Sequence, residues 1–395
     1  MRRQRVFVIA LFIASCWFAS LPVSHSATVP PAEIVDEGEL IREALVAAGI
    51  EPTESERLQQ YQSRIERALS DIVWRVGPGK PSYRRANKLH RIVHRNYFET
   101  YDIEVDGLQH IVDDGRYNCL SSVLFTGLAA RRLGFEARVV EYPGHLVIEL
   151  DTRSGPVMIE ATSPFGFDIQ PTRFRRTSSS ESFGSAWLLQ ANDGSWRVPL
   201  SSAIGFTWLN RAWRSFELGR TLEAVDHLER AASFVPGLSD QVEAAPRLLA
   251  RAFVREYDAG RFSSAFRIAE LDSRLSPGRV TTEDRLLAAA QKRIEQLALS
   301  GELARAVAIR ERLVETVHSE DSLARFDRIT GPTIVAVAVR RQAWEIAARF
   351  VERYALSEPD LVEIERLRQW VDSRQMRSGP PDPRWLPSPL SAMRP

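Results

Sequence analysis

Residues 117–134 read YNCLSSVLFTGLAARRLG, and residues 135–162 read FEARVVEYPGHLVIELDTRSGPVMIEAT. In the first stretch apolar residues recur every three or four positions after Cys119, which is typical of a helix, and Gly134 is a residue that often ends one. The second stretch contains runs of β-branched residues separated by turn signals, which predict three strands at 135–142, 145–151 and 155–162. The sequence therefore predicts a helix followed by short strands.

A turn signal, TRSG at residues 152–155, joins the last two of these strands. If these four residues form the hairpin loop, residue 151 pairs with residue 156. Alternation along the strands then places His145, Glu149 and Glu160 on one face, with Glu160 the diagonal neighbour of His145. A carboxylate can span that distance to the imidazole, and Glu149 is a rival for the same role. The alternative is a solvent-exposed histidine beside an acid, which is common in strands.

Cys119 opens the predicted helix. The first backbone N–H groups of a helix lack acceptors within it, and the helix dipole is positive there, so this position favours a thiolate. A cysteine so placed suits nucleophilic attack, and its own N–H can stabilise an oxyanion. The alternative is a buried apolar cysteine, the usual state of a free one. Together with His145 and Glu160 on the hairpin, Cys119 would complete a nucleophile, base and acid triad.

This part of the chain resembles the transglutaminase-like superfamily, and in particular a bacterial subgroup in which an Asn-Cys-Leu-Ser motif precedes a Pro-Gly-His motif. Some members of that subgroup also carry tetratricopeptide repeats. The resemblance covers roughly residues 85–170. It rests on the motifs YNCLSS at 117–122, AARRLGFEARVV at 129–140, YPGHLV at 142–147 and IEAT at 159–162.

The resemblance implies a papain-like fold in which Cys119 is the nucleophile, His145 is the general base and Glu160 stands where relatives usually have an aspartate. Glu160 departs from that pattern by one methylene. The glutamine or aromatic residue that completes the oxyanion hole in relatives has no clear counterpart here. The implied reaction is attack on a carboxamide to form a thioester, which water or an amine then resolves. The superfamily also includes members that have lost catalysis.

From about residue 203 the sequence is predicted to be helical and repetitive. Four positions spaced 41 residues apart are each followed five residues later by an alanine; they are Gly219, Gly260, Gly301 and Gln342. The first copy, residues 208–236, resembles a tetratricopeptide repeat, in which a glycine turn and a small alanine let two helices pack closely. Such an array offers a concave surface for an extended partner. The alternative is a helical lid or scaffold without a ligand.

The first 26 residues predict an export signal. A basic start at 1–5 precedes an apolar run at 6–23, and the small residues before Ala27 suit cleavage there. The rivals are lipoprotein processing at Cys16 and retention of the segment as a membrane anchor. The protein is therefore predicted to be exported to the periplasm or cell envelope, with membrane attachment an alternative. Cleavage at Ala27 would leave Cys119 as the one cysteine of the mature chain.

The composition excludes several classes of protein. The chain has 395 residues, of which 44% are hydrophobic and 26% charged, and a formal net charge of +1. These values are typical of a globular protein of two or three domains and lack the basic footprint of a nucleic-acid binder. Two cysteines exclude a disulfide scaffold and a multi-cysteine metal cluster. His90 and His94 have a spacing that can ligate zinc, but flanking arginines favour a solvent-exposed basic face, and no metal or cofactor is predicted.

These signals predict an α+β protein with a papain-like, transglutaminase-like core followed by a helical solenoid. Its segments are an export signal or anchor at 1–26, an N-terminal helical segment at 27–80, a transglutaminase-like domain at 81–176, a Ser-rich linker and connection at 177–203, tetratricopeptide-like repeats at 204–376 and a Pro-rich tail at 377–395. In the N-terminal segment, a capping box of Thr53 and Glu56 predicts the start of a helix that runs through about Trp74.

The predicted function is that of an exported cysteine-dependent amide hydrolase or acyl transferase, which acts on a protein or peptide held by the repeats. The alternative is a catalytically inactive interaction or assembly module in which the repeats carry the function.

Overall fold

A computed structural model describes residues 36–142, 145–169, 196–242 and 244–357, together with 368–369, 371 and 373. The predictions for the export signal, the Pro143-Gly144 turn, the Ser-rich stretch and the Pro-rich tail lie outside these residues. Within them the protein is mostly helical with two small sheets, in agreement with a mixed α and β class. None of the described helices combines the length and apolar character needed to cross a bilayer.

The secondary structure of the described residues is as follows. The helices are α1 Glu37–Ala47, α2 Ser55–Val76, α3 Tyr83–Asn96, α4 Leu108–Asp114, α5 Cys119–Arg132, α6 Ser202–Glu217, α7 Thr221–Phe234, α8 Leu238–Gln241, α9 Ala244–Asp258, α10 Phe262–Leu275, α11 Val280–Ser300, α12 Leu303–Thr316, α13 Glu320–Arg340 and α14 Trp344–Ser357. The strands are β1 Thr100–Tyr101, β2 Arg116–Tyr117, β3 Ala137–Tyr142, β4 His145–Thr152, β5 Gly155–Ile159 and β6 Trp196–Pro199.

The helix α2 begins one residue later than the capping-box prediction requires. Its N-cap is Glu54, which makes no side-chain capping bond, so the predicted Thr53–Glu56 box is wrong. The Glu54 carboxylate instead accepts the backbone N–H of Glu51 at 3.0 Å, which closes the preceding turn and moves the helix start to Ser55. At the next helix Ser82 accepts the Arg85 N–H and caps α3.

The main sheet has the strand order β5-β4-β3-β6, with antiparallel pairing throughout. Helix α5 packs on β3 and β4, and α2 and α3 pack against α5. Gly127 makes this close approach possible, since a Cβ there would clash with the side chain of Leu200. Strand β6 was not predicted, because it is short and follows a segment with no strand pattern. The sheet thus carries the predicted hairpin and presents it beside the first turn of α5.

The region after β6 consists of paired helices. The pairs α6/α7, α9/α10, α11/α12 and α13/α14 each turn at a residue with left-handed backbone, and the four turn residues are those predicted from the 41-residue spacing: Gly219 (φ 80°), Gly260 (φ 70°), Gly301 (φ 86°) and Gln342 (φ 60°). The four predicted alanines, Ala224, Ala265, Ala306 and Ala347, are fully buried. Small buried residues let neighbouring helices approach closely. Membership of the tetratricopeptide family stays a prediction.

Replacing Gln342 with glycine is expected to raise the free energy of unfolding by roughly 0.5–1 kcal/mol, because glycine adopts left-handed backbone without the cost of a Cβ. Gln342 is exposed, so its side chain gives up little packing. The matched control is Gly260→Gln, which has no atom near its Cβ position and should lose a similar amount through backbone strain alone. Urea unfolding of both variants measures the effect, and equal midpoints would refute it.

Candidate active site

Cys119 is the first residue of α5, as predicted, and is half-buried. Asn118 caps the helix: its side-chain oxygen accepts from the backbone N–H groups of Leu120 at 2.8 Å and Ser121 at 3.1 Å. In return the Asn118 N–H donates to the Ser121 hydroxyl at 3.0 Å. The cap uses the next two N–H groups and not that of Cys119 itself. The thiol therefore lies at the positive end of a well-fixed helix.

His145 and Glu160 form a direct contact. The Nε2 atom of His145 lies 2.5 Å from Oε2 of Glu160, and both side chains are largely buried. The other carboxylate oxygen accepts from Thr162 twice, from its N–H at 3.0 Å and its hydroxyl at 2.6 Å. Burial pushes the pKa of Glu160 up, but the hydrogen bonds from His145 and Thr162 outweigh it and leave the pKa below its usual value. Glu160 is thus an oriented carboxylate.

The imidazole of His145 also lies near the Cys119 thiol, which is one of the groups that raise its pKa. Because Nε2 is engaged by Glu160, Nδ1 is the ring nitrogen left for the sulfur. Burial pulls the pKa of His145 down, but its interactions with Cys119 and Glu160 outweigh burial and raise the pKa to about 9. The structure therefore brings all three predicted residues together in the order thiol, imidazole and carboxylate.

The hairpin explains how Glu160 reaches His145. Strands β4 and β5 pair with residue 151 opposite 156 and 148 opposite 159, so the predicted register is confirmed. The prediction that the strand continues to residue 162 is wrong, because β5 ends at Ile159. The chain then turns back on itself, with Glu160 N donating to Gly166 O at 2.8 Å. Glu160 meets the histidine from this turn rather than from a strand.

Glu149, the rival for the acidic role, pairs with arginines and not with His145. Its carboxylate is buried and accepts from the Arg197 guanidinium at 3.0–3.1 Å, with Arg138 3.5 Å away. Arg197 lies on β6, which the sequence did not reveal as a neighbour of this hairpin. Glu149 is therefore occupied by arginine, and Glu160 is the acid that contacts His145.

Two tyrosines to which the sequence gave no role lie at the site, and Tyr101 was not considered from the sequence at all. Tyr101 lies on β1, which pairs in parallel with β2 immediately before Cys119. Burial, followed by the charges of Cys119 and Glu160, raises the pKa of Tyr101 to about 12, so its phenol lies near both groups. Tyr117 donates its hydroxyl to the Thr162 carbonyl at 3.2 Å and ties the segment before Cys119 to the turn that holds Glu160. Two-residue strands leave no periodic signal in a sequence.

His90 and His94 do not lie on a solvent-exposed face, so that prediction is wrong. His90 is only 2% exposed, and its ring lies 4.6 Å from that of His94. The basic residues of α3 occupy the outer face, and the two imidazoles face the turn that follows Glu160. In the described part of the chain no group of three or more histidine, cysteine or acidic side chains could hold a metal ion.

Comparisons with family models, with curated proteins and with solved structures find no match to this chain. The chemistry of the site therefore has to come from its own geometry.

Proposed function

We propose that the protein is a thiol-dependent amide hydrolase or acyl transferase with Cys119 as nucleophile, His145 as general base and Glu160 as the orienting acid. One observation carries this proposal. A cysteine at the N-terminus of a helix lies near a largely buried histidine, and the Nε2 atom of that histidine is 2.5 Å from a carboxylate oxygen of Glu160. That is the arrangement of nucleophile, base and orienter that acyl transfer requires. The resemblance of the sequence at 117–162 to transglutaminase-like motifs supports the proposal further.

The proposed reaction has two steps. The Cys119 thiolate attacks the carbonyl carbon of an amide, and the His145 imidazolium protonates the departing nitrogen, so that ammonia or an amine leaves and a thioester remains. His145, now neutral, takes a proton from water or a second amine as that group attacks the thioester. The acid or new amide is released, and the proton returns to the thiolate–imidazole pair. Glu160 stabilises the imidazolium in both steps.

Two groups support stabilisation of the tetrahedral intermediate. The Cys119 N–H, the first in α5, is left free by the Asn118 cap and points along the positive end of the helix. The Tyr101 phenol, with its pKa raised to about 12, keeps its proton at neutral pH and can donate to an oxyanion. Tyr101 would thus fill the role for which the sequence offered no candidate.

The paired helices after residue 202 would hold a protein or peptide substrate. A groove of about 410 Å³ lies between α10, α11 and α12, with Phe266 and Leu297 at its base and arginines around it. This groove also favours the second candidate function, an interaction module in which the helical region alone binds a partner. The sequence at 1–26 supports export, where a single mature cysteine would meet no second thiol of its own chain to pair with.

The probe p-nitrophenyl acetate tests the proposed function without knowledge of the substrate. The full chain is expected to release a burst of p-nitrophenolate as the Cys119 sulfur takes the acetyl group and forms a thioester, followed by slow hydrolysis. Mass spectrometry of peptides, with and without hydroxylamine, locates the thioester. Added glycine amide then separates hydrolysis from transfer, since an acyl transferase would yield acetylglycine amide. Acetylation of Cys119 no faster than that of a small free thiol would refute the enzyme and leave the interaction module.

A further inference from the structure

Helix α3 presents a row of four exposed cationic side chains on its outer face, here called the α3 row. The members of the row are Arg84, Lys88, Arg91 and Arg95. Positions i, i+4, i+7 and i+11 fall within about 60° around a helix and cover about 16 Å along its axis. Helix α3 contains no acidic residue that could balance them. The outer face of this helix is therefore uniformly positive.

Three members of the α3 row have no partner among the described residues. Arg84, Arg91 and Arg95 make neither an ion pair nor a hydrogen bond there. Lys88 differs, because its Nζ atom donates to the carbonyl of Val76 at the end of α2, at 3.1 Å. Like charges three or four residues apart destabilise a helix, so an anion from outside the described residues would stabilise this one.

Exposed arginines in the helical region after β6 are arranged differently. Three of them each pair with an acid of the preceding helix pair: Arg267 with Asp226, Arg274 with Glu229 and Arg349 with Glu311. Such pairs leave no net charge at that surface. The unbalanced charge of the α3 row is therefore a property of this helix and does not follow simply from the many arginines of the chain.

Aromatic side chains lie beside the α3 row. Trp74 is 79% exposed and comes two residues before Val76, whose carbonyl accepts from Lys88. Tyr83 is the first residue of α3 and is 42% exposed. Indole and phenol rings favour the boundary between water and the apolar part of a bilayer. The surface thus combines unpaired cations with exposed aromatic rings.

The shape of this surface suits a plane of anions better than a single peptide. A shallow depression of about 490 Å³ follows the α3 row, and among the described residues only α3 lines it. It therefore has no opposite wall with which to hold a peptide. A bilayer presents its headgroups over a plane, so a row of cations about 16 Å long can contact several of them at once. The export signal predicted at 1–26 would bring the protein to such a surface.

We propose that the α3 row, with Trp74 beside it, docks the protein on a membrane that contains anionic phospholipids. Leu89 and Val93 pack inward from the opposite side of α3, so docking requires no rearrangement of the core. The proposal is independent of the proposed function, because no residue of the triad belongs to this surface. Each arginine at an anionic surface is expected to strengthen binding about fivefold, and three together about 100-fold.

The test measures how the full chain partitions onto vesicles of phosphatidylcholine with about 30% phosphatidylglycerol, relative to vesicles of phosphatidylcholine alone. The ratio cancels any attachment through the apolar segment at 6–23, which does not depend on lipid charge. The triple variant Arg84→Gln, Arg91→Gln and Arg95→Gln is expected to lower this ratio about 100-fold at about 0.1 M salt. Raising the salt concentration should lower the wild-type ratio as well.

The matched control is the triple variant Arg267→Gln, Arg274→Gln and Arg349→Gln. It removes the same net charge from the chain, but from arginines that already have acidic partners. Exposed ion pairs contribute little to stability, so the control should fold, and its partition ratio should stay within about threefold of wild type. Equal ratios for the two triple variants would overturn the proposal, as would a wild-type chain that does not distinguish the two kinds of vesicle.

A second measurement reports on each arginine separately. Phenylglyoxal labels exposed guanidinium groups, and peptide mass spectrometry gives the rate at each site. Anionic vesicles should slow the labelling of Arg84, Arg91 and Arg95 severalfold and leave Arg267 unchanged, whereas neutral vesicles should slow none of them. Equal protection by neutral vesicles would overturn the proposal. Protection by soluble polyglutamate but not by anionic vesicles would also overturn it, since the partner would then be an acidic protein.

Discussion

Replacing His145 with alanine is expected to slow the alkylation of Cys119 by iodoacetamide at pH 6 by about 100-fold. In the wild type His145 has a pKa of about 9 and is an imidazolium at pH 6. The proposed mechanism requires this cation to pair with the Cys119 sulfur as the attacking thiolate. Without the imidazole the thiol returns to ordinary behaviour, with roughly 0.3% thiolate at pH 6. Rates measured from pH 5 to 10 should show a plateau in wild type and a single steep rise in the variant.

The control for this experiment is His227→Ala, which removes a buried imidazole from the helical region and should keep the wild-type profile. Peptide mass spectrometry confines the measurement to Cys119, so that Cys16 does not contribute. If the His145→Ala profile coincides with that of wild type, the thiolate–imidazole pair does not exist and the enzymatic proposal fails with it.

The wild type and His145→Ala should differ in how the free energy of unfolding depends on pH. The folded pKa of His145, about 9, lies above its ordinary value of 6.5. Its contribution is therefore fully present below pH 6.5 and is lost as the pH rises through about 9, a difference of about 3 kcal/mol. The wild type should lose this amount relative to His145→Ala between those two pH values in urea unfolding. A constant difference across the range would show that His145 is not held as the cation.

The sequence supplied the parts of the site that depend on local pattern. A four-residue turn sets the hairpin register, which pairs residues 148 and 159 and so brings the chain at residue 160 towards the start of β4 at His145. The contact between the two side chains is then made from the turn that follows β5. The start of α5 is equally local, since Asn118 needs only the next three residues to cap it. The left-handed turns at 41-residue spacing were readable for the same reason, including the one at Gln342.

The parts that were missed depend on contacts between distant segments. Arg197, whose guanidinium pairs with the Glu149 carboxylate, lies 48 residues after Glu149 in the chain. Tyr101 reaches the site through a two-residue parallel pairing that no period can reveal. The burial of His90 and His94 depends on which face of α3 packs inward. The flanking Arg91 and Arg95 gave the wrong answer because they lie about 100° further around the same helix, on its exposed side.

Replacing Glu160 with glutamine is expected to reduce the turnover of p-nitrophenyl acetate by about 10²- to 10⁴-fold. The glutamine carbonyl is held by Thr162, which donates to Oε1 twice, so the amide NH₂ must face His145. The imidazole Nε2 would then have to accept, and its proton would move to Nδ1, the nitrogen that faces Cys119. A ring protonated there and neutral cannot take a proton from the thiol, and the imidazolium also loses the carboxylate that stabilises it.

Glu149→Gln is the matched control for Glu160→Gln. Glu149 is 4% exposed and Glu160 5%, and the sequence alone treated them as rivals. Glu149 lies on β4, and Glu160 directly follows β5. Neutralising Glu149 weakens its pairing with Arg197 but leaves the His145 contact intact, so turnover should stay within about threefold of wild type while stability falls. Stopped-flow measurement of the burst and the steady state separates acylation from deacylation in both variants. Equal losses of turnover in the two variants would mean that Glu160 has no specific role and that the negative charge of this region as a whole matters. A wild-type rate for Glu160→Gln would reduce the triad to a cysteine–histidine pair.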